Sequence, residues 1–172
     1  FGKAWQRSDT NRLEYSITDF SLHSSIKRQW VMHLATGQQL YRLHVGHGEA
    51  SIPGNDPGVS SVFSNIPQSH QSSLGMVRTA ETYVGDYGYS LRLDGLEPDF
   101  NDNVRSRFIV VHPWDGSREE IVASEGEVVP TWGCPAITPL ESQQVIDTIS
   151  EGSLMFFWHT DAIYRGASTY LN

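Results

Sequence analysis

A single cysteine, Cys134, most constrains how this chain can fold, because one sulfur cannot form a disulfide within the chain. The fold must therefore depend on a hydrophobic core, and 172 residues with 38% hydrophobic and 11% aromatic side chains suit one compact domain. An unpaired cysteine is either a small buried hydrophobic residue or a reactive thiol. Composition alone leaves both interpretations of Cys134 open.

The charge and hydropathy of the chain argue against two kinds of partner. The formal net charge is −8 and no stretch clusters Lys and Arg, whereas a nucleic-acid site needs a basic face. The longest apolar stretches, such as residues 154–158, are much shorter than the roughly 20 residues that cross a bilayer. We therefore predict no nucleic-acid partner and no membrane span. The chain begins at Phe1 without a leader of the secretory type, which leaves the question of a signal open.

Short apolar segments alternate with turn residues along the chain, which predicts a β-rich fold. Residues 30–35 and 39–45 form a predicted hairpin around Gly37. Further strands are expected over residues 75–83, 89–93, 107–112, 119–123 and 154–159. Residues 1–29 indicate no more than a short helix or strand. Residues 46–73, rich in Gly, Pro, Ser and Asn, predict a long loop of the kind that commonly binds something.

The clearest helix signal follows the cysteine. Thr138 is a good N-cap, Pro139 suits the first helical position, and Glu141 can complete a capping box with Thr138. Gly152 lies where such a helix would end. The sequence therefore predicts a helix that begins shortly after Cys134.

His112 is the candidate partner of the thiol. A cysteine becomes a nucleophile when a nearby imidazole takes its proton, and His112 ends an apolar strand-like run before Pro113 turns the chain away. The separation of twenty-two positions from His112 to Cys134 allows the chain to return to the same sheet edge. Gly133 lets the backbone approach a bound carbonyl, so amide groups around it could hold an oxyanion. A strand histidine is also commonly a core residue bonded to a backbone carbonyl, and both interpretations remain open.

A zinc site is an alternative use of other histidines. His44 and His47 are three residues apart and Glu49 follows, and hydrolytic zinc sites have three protein ligands and a water. On a strand this spacing turns the two rings to opposite faces unless the chain bends at Gly46. We therefore expect no metal and no cofactor.

Several motifs, in this order along the chain, resemble the L,D-transpeptidase catalytic domain family of the YkuD type, and more narrowly its proteobacterial murein branch. They lie at residues 72–83, 88–93, 101–103, 110–112 and 131–136. The resemblance extends from about residue 15 to residue 158, which implies an N-terminal extension over residues 1–14 and a catalytic domain over residues 15–172. The family motif is Ser/Thr-His-Gly-Cys-hydrophobic-Arg, and this chain departs from it with Trp132 in place of the histidine and Pro135-Ala136 in place of the last pair.

The resemblance implies roles for individual residues. Cys134 corresponds to the nucleophile, His112 to the general base and Gly133 to an element of the oxyanion hole. The residues expected to line or support the substrate cleft are Thr131, Trp132, Tyr89, Ser90 and Arg92. One of the strand arginines, Arg78 or Arg92, could pair with a carboxylate of the substrate.

The resemblance also implies a fold and an activity. The expected fold is mainly β with few helices (α+β), a β-sandwich or open barrel with a helix after the cysteine. The expected reaction is acyl transfer on peptidoglycan stem peptides in the periplasm or cell envelope. The carbonyl on the L-centre of the third stem residue passes through a cysteine thioester to an amine, and D-alanine is released. Water in place of the amine would make the enzyme an L,D-carboxypeptidase, and a wall-binding module without activity is a further alternative. The sequence leaves the acceptor and the oligomeric state open.

Overall fold

The computed structural model describes residues 2–172 and contains one mixed sheet flanked by short helices. Its strands are β1 (Glu14–Asp19), β2 (Gln29–His33), β3 (Gln38–Leu43), β4 (Gly75–Gly85), β5 (Gly88–Gly95), β6 (Val110–Val111) and β7 (Leu154–Trp158). Its α-helices are α1 (Gly2–Gln6), α2 (Glu119–Glu125), α3 (Pro139–Ile149) and α4 (Ala162–Ala167). Across the residues described, the strand order is β3-β2-β1-β7-β4-β5-β6, and the β1–β7 pairing is parallel while the others are antiparallel. The predicted α+β fold is confirmed.

The sequence predictions for the main hairpin and for the helix after the cysteine are confirmed. β2 and β3 pair antiparallel around the turn at Gly37. Thr138 is the N-cap residue of α3 and Pro139 begins the helix, although the Thr138 side chain makes no capping hydrogen bond. Residues 46–73 form the predicted loop, interrupted only by a short 3-10 turn at Glu49–Ser51.

The strand expected over residues 119–123 is wrong, because these residues form α2. Its β-branched residues favour a strand, but Val122 is the only buried residue of α2 and needs no sheet to cover it. Glu119 and Glu120 lie in the first turn, where acidic side chains stabilise a helix. Gly126 then ends the helix in the left-handed conformation, with φ of 82°.

The strand expected over residues 107–112 is shorter in the structure, where β6 is limited to Val110–Val111. Phe108 has φ of 57°, a left-handed conformation that interrupts an extended strand and is an outlier for a bulky side chain. β6 pairs with β5 at the edge of the sheet, with Val111 opposite Leu91. His112 is therefore the first residue after an edge strand.

α3 covers one face of the sheet and closes the core. Val145, Ile146 and Ile149 of α3 are fully buried in the same cluster as Leu91 and Val111. Because α3 follows the loop that carries Cys134, this packing holds the C-terminal end of that loop in place.

The C-terminal helix is tied to the sheet by a buried carboxylate. Glu97 accepts hydrogen bonds from the Met76 backbone N–H at 2.7 Å, the Tyr164 hydroxyl at 2.9 Å and the Ser168 hydroxyl at 2.6 Å. Asn101 extends this network, because its side-chain oxygen accepts from the Glu97 backbone N–H. A buried carboxylate satisfied in this way fixes α4 against β4.

The N-terminal segment also packs on the sheet. Ala4 of α1 is buried against Met76 and Leu154, and the Tyr170 hydroxyl donates to Asp9 at 2.7 Å. Residue 1, the first of the predicted N-terminal extension, lies outside the described residues, and the boundary after residue 14 stays a prediction. No helix within residues 2–172 is long and apolar enough to cross a membrane.

Candidate active site

Backbone hydrogen bonds bring the cysteine loop beside the residues that follow β6. The Ile137 N–H donates to the His112 carbonyl at 3.0 Å, and the Trp114 N–H donates to the Ile137 carbonyl at 2.8 Å. On the other side of the loop, the Gly46 N–H donates to the Ala136 carbonyl at 2.8 Å. The loop over residues 131–137 is therefore held between residues 45–49 and residues 112–114.

Thr131 organises the turn that presents Cys134. Its side-chain oxygen accepts from the Gly133 N–H at 3.2 Å and donates to the Cys134 carbonyl at 2.8 Å. The Thr131 N–H donates to the His47 carbonyl at 2.8 Å. Thr131 is almost fully buried, so it shapes the loop even though it also lines the cleft.

A buried Arg28–His47 pair supports the loop over residues 131–137, because the His47 backbone is hydrogen-bonded to Thr131. Arg28 Nη2 donates to His47 Nδ1 at 2.6 Å, and Arg28 Nη1 donates to the Leu22 carbonyl at 2.7 Å. Burial, and then the charge of Arg28, lower the pKa of His47 to about 3. The imidazole of His47 is therefore neutral, and its Nδ1 accepts the hydrogen bond from Arg28. The backbone carbonyl of His47 accepts from the Thr131 N–H.

Cys134 and His112 line the same cavity, which we call the cysteine cavity. It has a volume of about 410 Å³, and Trp132 and Trp114 are also among its walls. Cys134 is half-buried, and its S–H donates to the Phe108 carbonyl at 3.6 Å. Within the described residues, no hydrogen bond joins the sulfur to His112. The structure thus brings the two side chains to one cavity but shows the thiol on a backbone carbonyl.

His112 is held in one tautomer between aromatic rings. Its Nδ1–H donates to the Pro113 carbonyl at 2.8 Å, which leaves Nε2 as the nitrogen that can accept a proton. Its ring stacks on Tyr87, with ring centres 4.4 Å apart, and meets Trp114 edge-on at 6.2 Å. Burial lowers the pKa of His112, so the imidazole is neutral at neutral pH.

The thiol of Cys134 is also neutral at rest. Burial raises its pKa to about 11, while the backbone N–H of Val110 and the charge of Arg107 oppose this rise. A neutral thiol beside a neutral imidazole is a pair in which proton transfer accompanies nucleophilic attack.

The amide groups of the loop differ in their availability to an oxyanion. The Gly133 N–H is already bonded to Thr131, whereas the Cys134 N–H has no hydrogen-bond partner among the described residues. Gly133 instead contributes through conformation: its φ is 114°, and a Cβ at this position would lie 2.7 Å from the Gln71 carbonyl oxygen. The Cys134 amide is therefore the better oxyanion donor of the two.

Trp132 stands between the cysteine cavity and a second cavity of about 590 Å³, which we call the adjoining cavity. The indole is exposed and stacks on His70, with ring centres 4.6 Å apart and nearly parallel planes. His70 in turn bonds to Glu49 at 2.8 Å. The two cavities share Arg107, Phe108, Ile109 and Trp132, so together they form one cleft, and Cys134 lines the cysteine cavity.

Three residues expected to line or support the cleft line neither cavity, and a supporting role for them stays a prediction. The Tyr89 hydroxyl donates to Asp147 on α3 at 2.7 Å, and Ser90 is buried with its hydroxyl on its own strand. Arg92 lies over the Tyr83 ring at 4.2 Å. β5 lies between β4 and β6 in the sheet, so contacts on neighbouring strands and on α3 occupy these side chains.

Among the cleft residues that sequence reasoning missed are Tyr87, Arg107 and Phe108. Tyr87 lies in the turn between β4 and β5, and its position over His112 follows from strand pairing that the sequence does not specify. Arg107 and Phe108 lie just before the strand that leads to His112. Their placement on that segment was the one available signal.

The residues of the alternative zinc site have separate partners. His44 Nδ1 lies 3.3 Å from the Ser24 carbonyl, His47 accepts from Arg28, and Glu49 pairs with His70. Within residues 2–172, no three of the His, Cys, Asp and Glu side chains converge as metal ligands do.

Another cavity lies away from the cysteine. It has a volume of about 740 Å³ and is lined by Arg78 and Arg105, together with residues 8–11, but not by Cys134 or His112. Arg78 is therefore not placed to hold a carboxylate beside the thiol.

Solved structures of L,D-transpeptidases have a similar fold. An L,D-transpeptidase from Mycobacterium smegmatis matches with a TM-score of 0.50 and 12% identity, covering 86% of this chain and 59% of that chain. The LD transpeptidase LdtMt1 in complex with imipenem matches with a TM-score of 0.50 and 13% identity, covering 85% and 59%. A variant of the helical cell shape determining protein Pgp2 from Campylobacter jejuni matches with a TM-score of 0.53 and 13% identity, covering 88% and 49%. The chain thus spans about half to three fifths of these proteins.

The family is shown by sequence. A search of curated proteins finds no match. The model of the L,D-transpeptidase catalytic domain family matches residues 2–158, so the chain belongs to this family. The resemblance seen in the motifs is confirmed at the level of the family, and the proteobacterial branch stays a prediction.

Proposed function

We propose that this chain is the catalytic domain of a peptidoglycan L,D-transpeptidase, with Cys134 as nucleophile and His112 as general base. The observation that carries the proposal is the cavity lined by both side chains in a domain of this family. The family and its wall substrate support a site of action in the periplasm or cell envelope. The substrate class is peptidoglycan stem peptides.

In the first half-reaction, the Cys134 S–H leaves the Phe108 carbonyl and gives its proton to His112 Nε2. The sulfur attacks the carbonyl on the L-centre of the third stem residue, and the Cys134 N–H donates to the resulting oxyanion. The C–N bond then breaks, and His112 returns the proton to the amine of the departing D-alanine. A thioester on Cys134 remains.

In the second half-reaction, a side-chain amine of another stem attacks the thioester. His112 accepts the proton of that amine, the C–S bond breaks, and the Cys134 thiolate takes the proton back from His112. The two joined cavities suit such a reaction, because donor and acceptor stems must both reach the sulfur. Trp132 is exposed and lines both cavities, which supports a role in contacting either stem.

Purified protein mixed with tetrapeptide-bearing muropeptides tests the proposal. We expect cross-linked dimers from the unaltered chain, none from Cys134→Ala, and a rate lower by about 10²- to 10⁴-fold for His112→Asn. Glu125→Gln, exposed on α2, is the matched control and should leave the rate unchanged.

Other products would change the assignment. Shortened monomers in place of dimers indicate an L,D-carboxypeptidase with the same Cys134–His112 pair. Equal turnover by Cys134→Ala, or no turnover with no adduct of imipenem on the intact protein, contradicts the proposal.

A further inference from the structure

Arg107 is a half-buried cation that lines both cavities of the cleft. Within the described residues it has no carboxylate partner, whereas Arg105, two positions earlier, pairs with both Glu81 and Asp94. A guanidinium keeps its charge at any ordinary pH, and burying a charge without a counter-ion is costly. An unpaired cation in a cleft therefore indicates a task for its charge.

Neutral acceptors hold the Arg107 guanidinium in place. Nη1 donates to the Ser64 carbonyl at 2.6 Å and the Ser73 hydroxyl at 2.7 Å. Nη2 donates to the Ser69 hydroxyl at 3.0 Å and the Gln71 carbonyl at 2.7 Å. Both terminal nitrogens are thus fully used, which leaves no fork for bidentate binding of a carboxylate. The Nε–H is buried with no hydrogen-bond partner among the described residues, so the side chain offers the cleft chiefly its fixed positive charge.

The contacts of Arg107 place this charge beside the cysteine loop. The Gln71 carbonyl that accepts from Arg107 also lies against Gly133, the residue before Cys134. The next residue after Arg107, Phe108, receives the S–H of Cys134 on its carbonyl. Two independent backbone contacts therefore link Arg107 to the cysteine loop, and both Arg107 and Cys134 line the cysteine cavity.

We propose that Arg107 supplies the positive charge that stabilises the Cys134 thiolate. The titratable side chains that line the cysteine cavity with it are Asp86, Tyr87 and His112, and none carries a permanent positive charge. In the proposed function, the thiolate forms whenever the C–S bond of the thioester breaks, and the charge of Arg107 lowers the energy of that leaving group. Arg107 affects the reaction only through Cys134, because its role is to stabilise the thiolate, and it is therefore a positioning residue. The effect of Arg107 on thioester cleavage rests on the proposed function, whereas its stabilisation of the Cys134 thiolate does not.

Alkylation of the intact protein by iodoacetamide, followed by mass spectrometry as a function of pH, measures the thiolate directly. We expect Arg107→Gln to shift the alkylation profile upward by about one pH unit, so that the rate at a fixed neutral pH falls about tenfold. Arg105→Gln is the matched control, because its charge is already neutralised by Glu81 and Asp94, and its profile should not move. An unshifted profile for folded Arg107→Gln overturns the inference.

Arg107→Lys separates charge from structure if the glutamine variant does not fold. Lysine keeps the positive charge but cannot make all four hydrogen bonds of the guanidinium. If the charge is what matters, we expect the alkylation profile of Arg107→Lys to lie close to that of the unaltered chain. A profile shifted upward in Arg107→Lys by as much as one unit would mean that Arg107 only holds the loop. Because alkylation needs no wall substrate, a failure here and a failure to form muropeptide dimers are separate results.

Discussion

Replacing Gly133 by alanine should be one of the most damaging small changes in this domain. The backbone at Gly133 has φ of 114°, and holding an L-residue in such a region costs about 1–3 kcal/mol. The added Cβ would lie 2.7 Å from the Gln71 carbonyl oxygen and 2.9 Å from Ile109 Cδ1. The backbone oxygen cannot move without disturbing Arg107, and overpacking of this kind costs about 1–3 kcal/mol more. We expect Gly133→Ala to lower the free energy of unfolding by about 4 kcal/mol.

Gly126→Ala is the matched control for this prediction. Gly126 also has a positive φ, 82°, but a Cβ there meets nothing within 4 Å. It should therefore show the conformational cost alone, about 1–2 kcal/mol. Urea unfolding of both variants, followed by circular dichroism, measures the difference. Equal losses in the two variants would show that the close approach of Gln71 to the cysteine loop does not constrain Gly133.

Three further outcomes test other parts of the structure. Glu97→Gln should lower the free energy of unfolding by about 1–3 kcal/mol, because the amide cannot accept all the hydrogen bonds that the buried carboxylate accepts; urea unfolding checks it against the exposed control Glu125→Gln. His47 has a folded-state pKa of about 3, below its unfolded value of about 6.5. Its contribution to the free energy of unfolding is therefore complete above pH 6.5 and is lost as the pH falls from about 6.5 to about 3. The free energy of unfolding should drop by about 1.4 kcal/mol per pH unit from this residue over that window, and a His47 ring signal that titrates near 6.5 in NMR would contradict it. Trp132→Ala should raise KM about threefold to tenfold with kcat nearly unchanged, because the exposed indole offers a stacking surface but lies outside the proton-transfer pair; a loss confined to kcat would be inconsistent with that role.

Local signals explain which parts of the fold were predictable. The β2–β3 hairpin depends on a short turn, and α3 begins at Thr138 and Pro139. Both elements can therefore be predicted from a few adjacent residues. The segment 119–123 is different, because its β-branched residues favour a strand while its place in the tertiary structure buries only Val122. The start of β6 also escaped prediction, because the left-handed conformation of Phe108 interrupts the extended segment there and no local sequence signal announces it.

The residues of the candidate site also divide into those that sequence motifs predict and those whose contacts depend on the tertiary structure. Cys134, His112 and Gly133 belong to ordered motifs and could be named from the sequence. Tyr89 and Arg92 belong to a similar motif, but a strand motif does not say which neighbour will occupy each side chain, and here α3 and β4 do. The importance of Arg107 is invisible in sequence, because it arises from the absence of an acidic partner around it in the described structure.

The two pKa shifts in the cleft explain why the thiol needs more than a histidine. Burial raises the pKa of Cys134 and lowers that of His112, so the resting pair is thiol and neutral imidazole and not a thiolate with an imidazolium. In such a pair the imidazole can take the proton, but it provides no positive charge before the transfer. The charge on sulfur must then be stabilised by groups already in place, and the Val110 N–H and the Arg107 guanidinium are the two that lower the thiol pKa. In the proposed mechanism, proton transfer and charge stabilisation belong to different residues, so a variant that removes only the charge should shift the thiol titration and leave His112 in place.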